Sequence, residues 1–174
     1  MKIIGICGSP RKGNTEFLLR EALKAADKKG AETELILLRE KKIEFCDGCL
    51  ECDKTGECHI NDDMQEIYEK LVRADAIIIG SPNYFENVSG TLKNFIDRSV
   101  IFYTNKKLTG KSIAAIAVGG GSGKEPISII KNFSSGVYTK FIGSVSAIAG
   151  SAGEVVKDKK ALAEARKLGE KLAE

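Results

Sequence analysis

A chain of 174 residues, 43% of them hydrophobic and 29% charged, has the make-up of one globular domain with enough length to bury a full core. Its 27 basic and 24 acidic residues leave a net charge of +3, and the basic residues are scattered, which argues against a nucleic-acid partner. Apolar runs no longer than a strand argue against a membrane, and because Met1 to Ile4 leads straight into a strand no signal peptide is expected. The expected compartment is therefore the cytoplasm, where thiols stay reduced. Five cysteines in such a chain call for a metal or redox explanation, and four of them crowd between residues 46 and 58.

In chain order, Lys2 to Cys7 is a short apolar run ending in Gly8-Ser9-Pro10, the pattern of a buried strand. Leu18, Leu19, Ala22, Leu23 and Ala26 recur at helical spacing between Thr15 and Lys29, and Gly30 closes that helix. Thr33 to Leu38 forms a second strand, followed by the cysteine segment. A helix then carries Met64, Ile67, Tyr68, Leu71 and Val72 on one face, with Asn61 or Asp62 as its N-cap. Ala76 to Gly80 is a third strand, Ser81 to Asn87 a loop, and Leu92, Phe95, Ile96 and Val100 mark a helix. Ser112 to Val118 is a fourth strand, Gly119 to Gly123 a glycine loop, and Ile127 to Phe133 a helix. Val145 to Ala149 makes a fifth strand before a terminal helix from Lys159 to Leu172.

Strands that alternate with helices and are apolar throughout imply a parallel sheet covered on both faces. Five such units suit a flavodoxin-like doubly wound sheet of strand order 2-1-3-4-5 in one domain, residues 1–174, with segment 46–58 inserted after strand two. Ligands of such sheets sit beyond the carboxyl ends of the strands, and every unusual loop here follows a strand.

The first of these loops is Gly8-Ser9-Pro10-Arg11-Lys12-Gly13-Asn14-Thr15. Gly8 and Gly13 let the backbone turn its N–H groups inward, and the following helix adds its positive dipole end. Ser9, Asn14 and Thr15 can donate to a phosphate, and Arg11 can supply charge. The glycine spacing matches a Walker A loop, but Asn14 stands where its lysine belongs, and strand three ends in Gly80-Ser81 without a magnesium aspartate. The dinucleotide pattern G-x-G-x-x-G is also unmatched. A phosphate monoester remains, against the plainer reading of an empty helix N-terminal turn.

Two further loops could hold a planar ring. Pro82 stiffens the turn after strand three, Tyr84 and Phe85 offer flat apolar surface, and Asn83 can address ring heteroatoms. Gly119 and Gly120 let a backbone approach a ring closely. Read singly, the first loop could be a core plug and the second a flexible linker. Together, the stretch from Gly8 to Thr15 and that from Ser81-Pro82 to Ile96-Asp97 resemble the two motifs of the NADPH-dependent FMN reductase family. The resemblance covers nearly the whole chain. It implies that Ser9, Arg11, Asn14 and Thr15 hold the FMN phosphate, that Pro82, Asn83, Tyr84 and Phe85 border the ring, and that Gly119 and Gly120 face its other side. Glu86 stands where that family often has glycine. The family's habits also imply a homodimer or homotetramer.

The cysteines Cys46, Cys49, Cys52 and Cys58 have the spacing C-x2-C-x2-C-x5-C. Three thiolates at two-residue gaps can wrap three corners of a cubane while a longer loop brings the fourth. With no second set of cysteines, either Cys58 completes the same cluster or an open iron site results. The segment resembles the compact motif of the iron–sulfur flavoproteins, a branch of the same family, which implies a [4Fe–4S] cluster. Tetrahedral zinc and a Cys49–Cys52 redox disulfide stay open as alternatives. Cys7 ends an apolar strand and is expected to be a buried core thiol, and His59 is expected to be solvated or hydrogen-bonded.

No acid–base or nucleophilic constellation stands out. The expected function is electron transfer between a [4Fe–4S] cluster and FMN, with ferredoxin as donor and a small molecule as acceptor. One alternative is an NAD(P)H-dependent FMN or quinone reductase with structural cysteines. Another, from a different class, is a zinc-stapled sensing or binding module without flavin.

Overall fold

The computed structural model describes all residues from Met1 to Glu174. Three strands are apolar almost end to end and buried on both faces: β1 (Lys2–Cys7), β3 (Ala76–Pro82) and β4 (Ser112–Gly119). They occupy the centre of a five-stranded parallel sheet, flanked by β2 (Glu32–Leu37) and β5 (Lys140–Ile148), in the order β2-β1-β3-β4-β5. Alternate residues of each strand point to opposite faces. Ile3, Cys7, Ile78 and Ile116 therefore join one core, against α1 (Asn14–Lys28) and the C-terminal helix (Lys159–Leu172). Ile4, Ile6, Ile77, Ile79 and Ile113 join the other.

That second core is covered by the helices that follow β2, β3 and β4. After β2 come α2 (Glu51–Thr55) and α3 (Met64–Arg73), and after β3 come α4 (Gly90–Arg98) and α5 (Ile101–Asn105). Leu92 and Phe95 of α4 are fully buried on it, as are Met64 and Ile67 of α3. Then α6 (Lys124–Gly136) follows β4, and the C-terminal helix is α7. No helix is long and apolar enough to cross a membrane.

The structure adjusts several expected boundaries. β5 begins at Lys140 rather than Val145 and ends at Ile148. It is an edge strand whose Lys140, Ser144 and Ser146 are exposed, so half of it carries no apolar run to read. The expected helix through Val100 stops at Arg98, and Ile101 starts a separate turn. At the start of α3, Asp63 directly precedes the helix without a side-chain cap, while Asp62 Oδ1 accepts from the Met64 N–H at 2.9 Å. Asp62 thus caps α3 from one position further out.

Candidate functional site

The loops after β1, β3, β4 and β5 meet at one edge of the sheet around a cavity of about 150 Å³. Ser9, Arg11, Asn14, Thr15, Pro82, Asn83, Tyr84, Gly119 and Gly120 all line it, together with Val118, Ala149 and Gly150. Gly13 lies beside it, in a recess with Lys12 and Glu16, and Phe85 is fully exposed at the tip of its turn. The lining holds one cation and no carboxylate, and the free N–H groups at the start of α1 face the same loop. That donor set suits a phosphate.

Packing fixes these loops. Ser89 caps α4, accepting from Leu92 N–H at 3.1 Å, and its hydroxyl donates to the Gly8 carbonyl at 2.5 Å, which ties the β1 loop to the β3 loop. Ser9 Oγ donates to the Arg11 carbonyl at 2.7 Å. The Asn14 side chain donates to the Ser151 carbonyl at 2.8 Å and accepts from Val155 N–H at 3.3 Å. Asn14 therefore braces the loop after β5, a role its motif position does not announce. Gly119 has no side chain because a Cβ there would press 2.7 Å from the Cβ of Asn83. Asn83 in turn donates through Nδ2 to the Ser122 carbonyl, leaving Oδ1 buried without a partner. A buried acceptor left unpaired costs free energy, and a ligand N–H at this wall would satisfy it. The residues present fit FMN at both its phosphate and its ring.

The turn bearing Tyr84 closes on itself, with Tyr84 and Asn87 exchanging backbone bonds of 3.0 and 3.1 Å. Between them Phe85 (φ 50°) and Glu86 (φ 58°) are both left-handed. Neither side chain favours that region, so the turn is held under strain beside the cavity.

A second cavity, of about 40 Å³, is lined by Cys46, Cys49, Cys52 and Cys58 together. All four are free thiols, so no Cys49–Cys52 disulfide is formed. Left-handed residues at Gly48, Leu50 and Gly56 fall between successive cysteines and turn the chain, so that all four cysteines border the one cavity. Burial, with Asp53 and Cys58 close by, pushes the Cys52 thiol up, so a metal has to displace its proton. Four thiols lining one cavity, with hydrophobic Leu50, Val100 and Ile101 around them, fit an iron–sulfur cluster. His59 is paired with Asp47 at 3.0 Å, and Cys7 is a core thiol pushed up by burial.

The sequence reading missed Arg98 and the partner role of Asp62. Arg98 lines the cysteine cavity, and its buried guanidinium pairs with Asp62 at 2.6 Å. Burial pushes the Asp62 carboxyl up, but Arg98 and the N–H groups of Glu44 and Met64 outweigh this and hold it below the usual aspartate range. The signal was weak: Arg98 stands three residues after Phe95, at the margin of the apolar face of α4, where a charge is ordinary. A larger groove of about 580 Å³ runs between α3 and α5 and reaches Cys58 from the other side.

Known proteins resemble this chain in sequence and in fold. Residues 1–154 match the family model described as NADPH-dependent FMN reductase. An iron–sulfur flavoprotein of Methanocaldococcus jannaschii is 47% identical over 137 residues, covering 76% of this chain and 71% of that protein. An iron–sulfur flavoprotein of Archaeoglobus fulgidus is 36% identical across 100% of this chain and 94% of its own length. Among solved structures, a flavone reductase superposes with a TM-score of 0.79 at 22% identity, over 99% of this chain and 62% of that one. An archaeal flavodoxin gives 0.68 at 19% identity, over 99% and 96%. Those two likenesses confirm the flavodoxin-like sheet, and the sequence matches go further: this chain belongs to the NADPH-dependent FMN reductase family, in its iron–sulfur flavoprotein branch.

Proposed function

We propose that the chain is an electron-transfer flavoprotein that holds FMN in the strand-edge cavity and a [4Fe–4S] cluster on Cys46, Cys49, Cys52 and Cys58. The observation that carries this reading is the pairing, in one chain, of a carboxylate-free phosphate cradle with four free thiols on a single cavity. When bound, FMN exchanges one or two electrons and the cluster exchanges one, so the pair converts between the two kinds of chemistry. Arg11 and the first-turn N–H groups of α1 bind the phosphate, with Ser9 and Thr15 beside them. Pro82, Tyr84 and Gly119 shape the ring wall, and Asn83 Oδ1 accepts a ring N–H. The names of the relatives, which describe iron–sulfur flavoproteins, support both cofactors.

Ferredoxin is the proposed donor, because Cys46 and Cys49 are exposed and a one-electron carrier can reach a cluster at the surface. The exposed Phe45, Leu50, Phe85 and Tyr103 support self-association as a homodimer or homotetramer, and the free thiols suit the reducing cytoplasm. The NADPH dependence in the family's description favours a second reading, NAD(P)H as donor. A visible spectrum of anaerobically purified protein tests the cofactors: flavin bands over a broad charge-transfer absorbance support the proposal. Flavin alone favours the reductase with structural cysteines, and a colourless protein favours the zinc module. Stopped-flow mixing then tests the donor, with reduction by ferredoxin expected to outpace that by NAD(P)H.

A further inference from the structure

The four cysteines lie on a segment with little regular structure, and something has to hold its two ends. Arg98 does so from the last residue of α4, with its side chain wholly enclosed. Nη1 donates to the Glu44 carbonyl at 2.8 Å and to Asp62 Oδ2 at 2.6 Å. Nη2 donates to Asp62 Oδ1 at 3.1 Å, to the Ile60 carbonyl at 3.4 Å and to Cys58 Sγ at 3.6 Å. Asp62 returns the favour by accepting from Glu44 N–H at 2.8 Å. Glu44 stands two residues before Cys46 and Ile60 two residues after Cys58, so this one fork closes the base of the cysteine loop.

A buried ion pair contributes little to stability compared with a well-packed apolar replacement. Here every acceptor of the guanidinium belongs to residues 44–62, and none to the sheet that α4 otherwise packs against. Its Nε is also buried and unpaired. The group serves the cysteine segment.

We propose that Arg98 is the positioning residue of the cysteine site: its fork gathers the two ends of segment 46–58 before metal arrives, and its Nη2–H, donated to the Cys58 sulfur, raises the reduction potential of the bound cluster. The proposal rests on the cluster reading above. Closing the loop in advance removes part of the ordering entropy that metal binding would otherwise have to overcome. The effect on potential follows from charge. A cluster ligated by four thiolates becomes more negative on reduction, and a donor bond to a ligand sulfur stabilises the more negative state more. Asp62 neutralises the guanidinium as a distant charge, so the influence is confined to the sulfur that Nη2 touches.

The test uses the full-length protein and its Arg98→Lys and Arg98→Met variants, reconstituted anaerobically with ferrous iron and sulfide. Arg98→Lys keeps a cation against Asp62 but loses the fork. It is expected to bind FMN like the parent and to unfold in one transition. Its affinity for iron should fall by about 10–100-fold, the usual loss when a residue that supports a ligand is changed. Its remaining cluster should titrate at a lower potential by EPR, and in the metal-free protein its amides at 46–58 should exchange faster. Arg98→Met should show the same pattern more strongly. Parent-like iron affinity and potential in Arg98→Lys would overturn the proposal. So would a parallel loss of iron and FMN in both variants, since that reports general damage to the fold. A parent that takes up no iron at all refutes the cluster reading itself, an outcome seen before any variant is compared.

Discussion

At the scale of single residues, the proposed phosphate cradle rests on one side-chain charge. Arg11 is the only cation lining the strand-edge cavity. Arg11→Ala is expected to weaken FMN by about 1.5–3 kcal/mol, the worth of a charge-assisted hydrogen bond, or about 10–150-fold in Kd. Fluorescence titration of apoprotein with FMN measures it, and unchanged affinity would mean that the loop binds something else. Glu86 makes an independent case. Its φ of 58° costs a side-chain-bearing residue about 1–2 kcal/mol, part of which glycine gives back through its freedom in the unfolded chain. Glu86→Gly should therefore raise the melting temperature by about 1–3 °C. A lower melting temperature would show that the Glu86 side chain makes a contribution larger than its strain.

Which of these residues were legible in the sequence follows from how each one works. Ser9, Arg11, Thr15 and Asn83 sit in motifs whose spacing reports chemistry, and all of them line the cavity. Asn14 belongs to the same motif, yet both polar atoms of its side chain bond the loop near Ser151 and Val155, more than a hundred residues away. Such a partner has no sequence signature. Phe85 reads as a flat ring beside a ligand, but two left-handed residues turn it out to solvent, and φ cannot be read from side-chain type.

At the scale of elements, the central strands and the amphipathic helices were readable because burial imposes period and composition on them. The edge strand β5 was half hidden, since its solvent side carries lysine and serine. The start of α1 is held by a further device. Glu16, almost wholly buried, pairs with Arg20 at 2.8 Å and with Arg39, beyond β2, at 2.8 Å. Burial pushes its carboxyl up, but the two arginines outweigh that and leave it below the ordinary glutamate value of 4.5. A carboxylate whose folded pKa is depressed stabilises the fold fully above its unfolded pKa and ceases to do so as pH falls through the folded one. Glu16→Gln is thus expected to cost about 1–3 kcal/mol near neutrality. The gap between parent and variant in urea unfolding should close as the pH drops below 4.5. A gap that stays constant down to pH 3 would assign the loss to packing instead of charge.

For the whole molecule, two cavities share one scaffold. The nine residues of α4 lie between them, with the N-terminal cap bonded to the β1 loop and Arg98 at the cysteine cavity. A helix of that length is about 13 Å long, so the two sites sit on opposite ends of one rigid rod and use different side chains. They should therefore load independently. The central claim is that one chain carries FMN and a cluster at these two places, and the most direct test is the iron, sulfide and FMN content of the parent and of Cys49→Ser, both prepared without oxygen. The parent chain should hold about four irons and one FMN, and the Cys49→Ser variant should lose iron while keeping its flavin. One zinc with negligible iron in the parent, or iron unchanged in the variant, would contradict it.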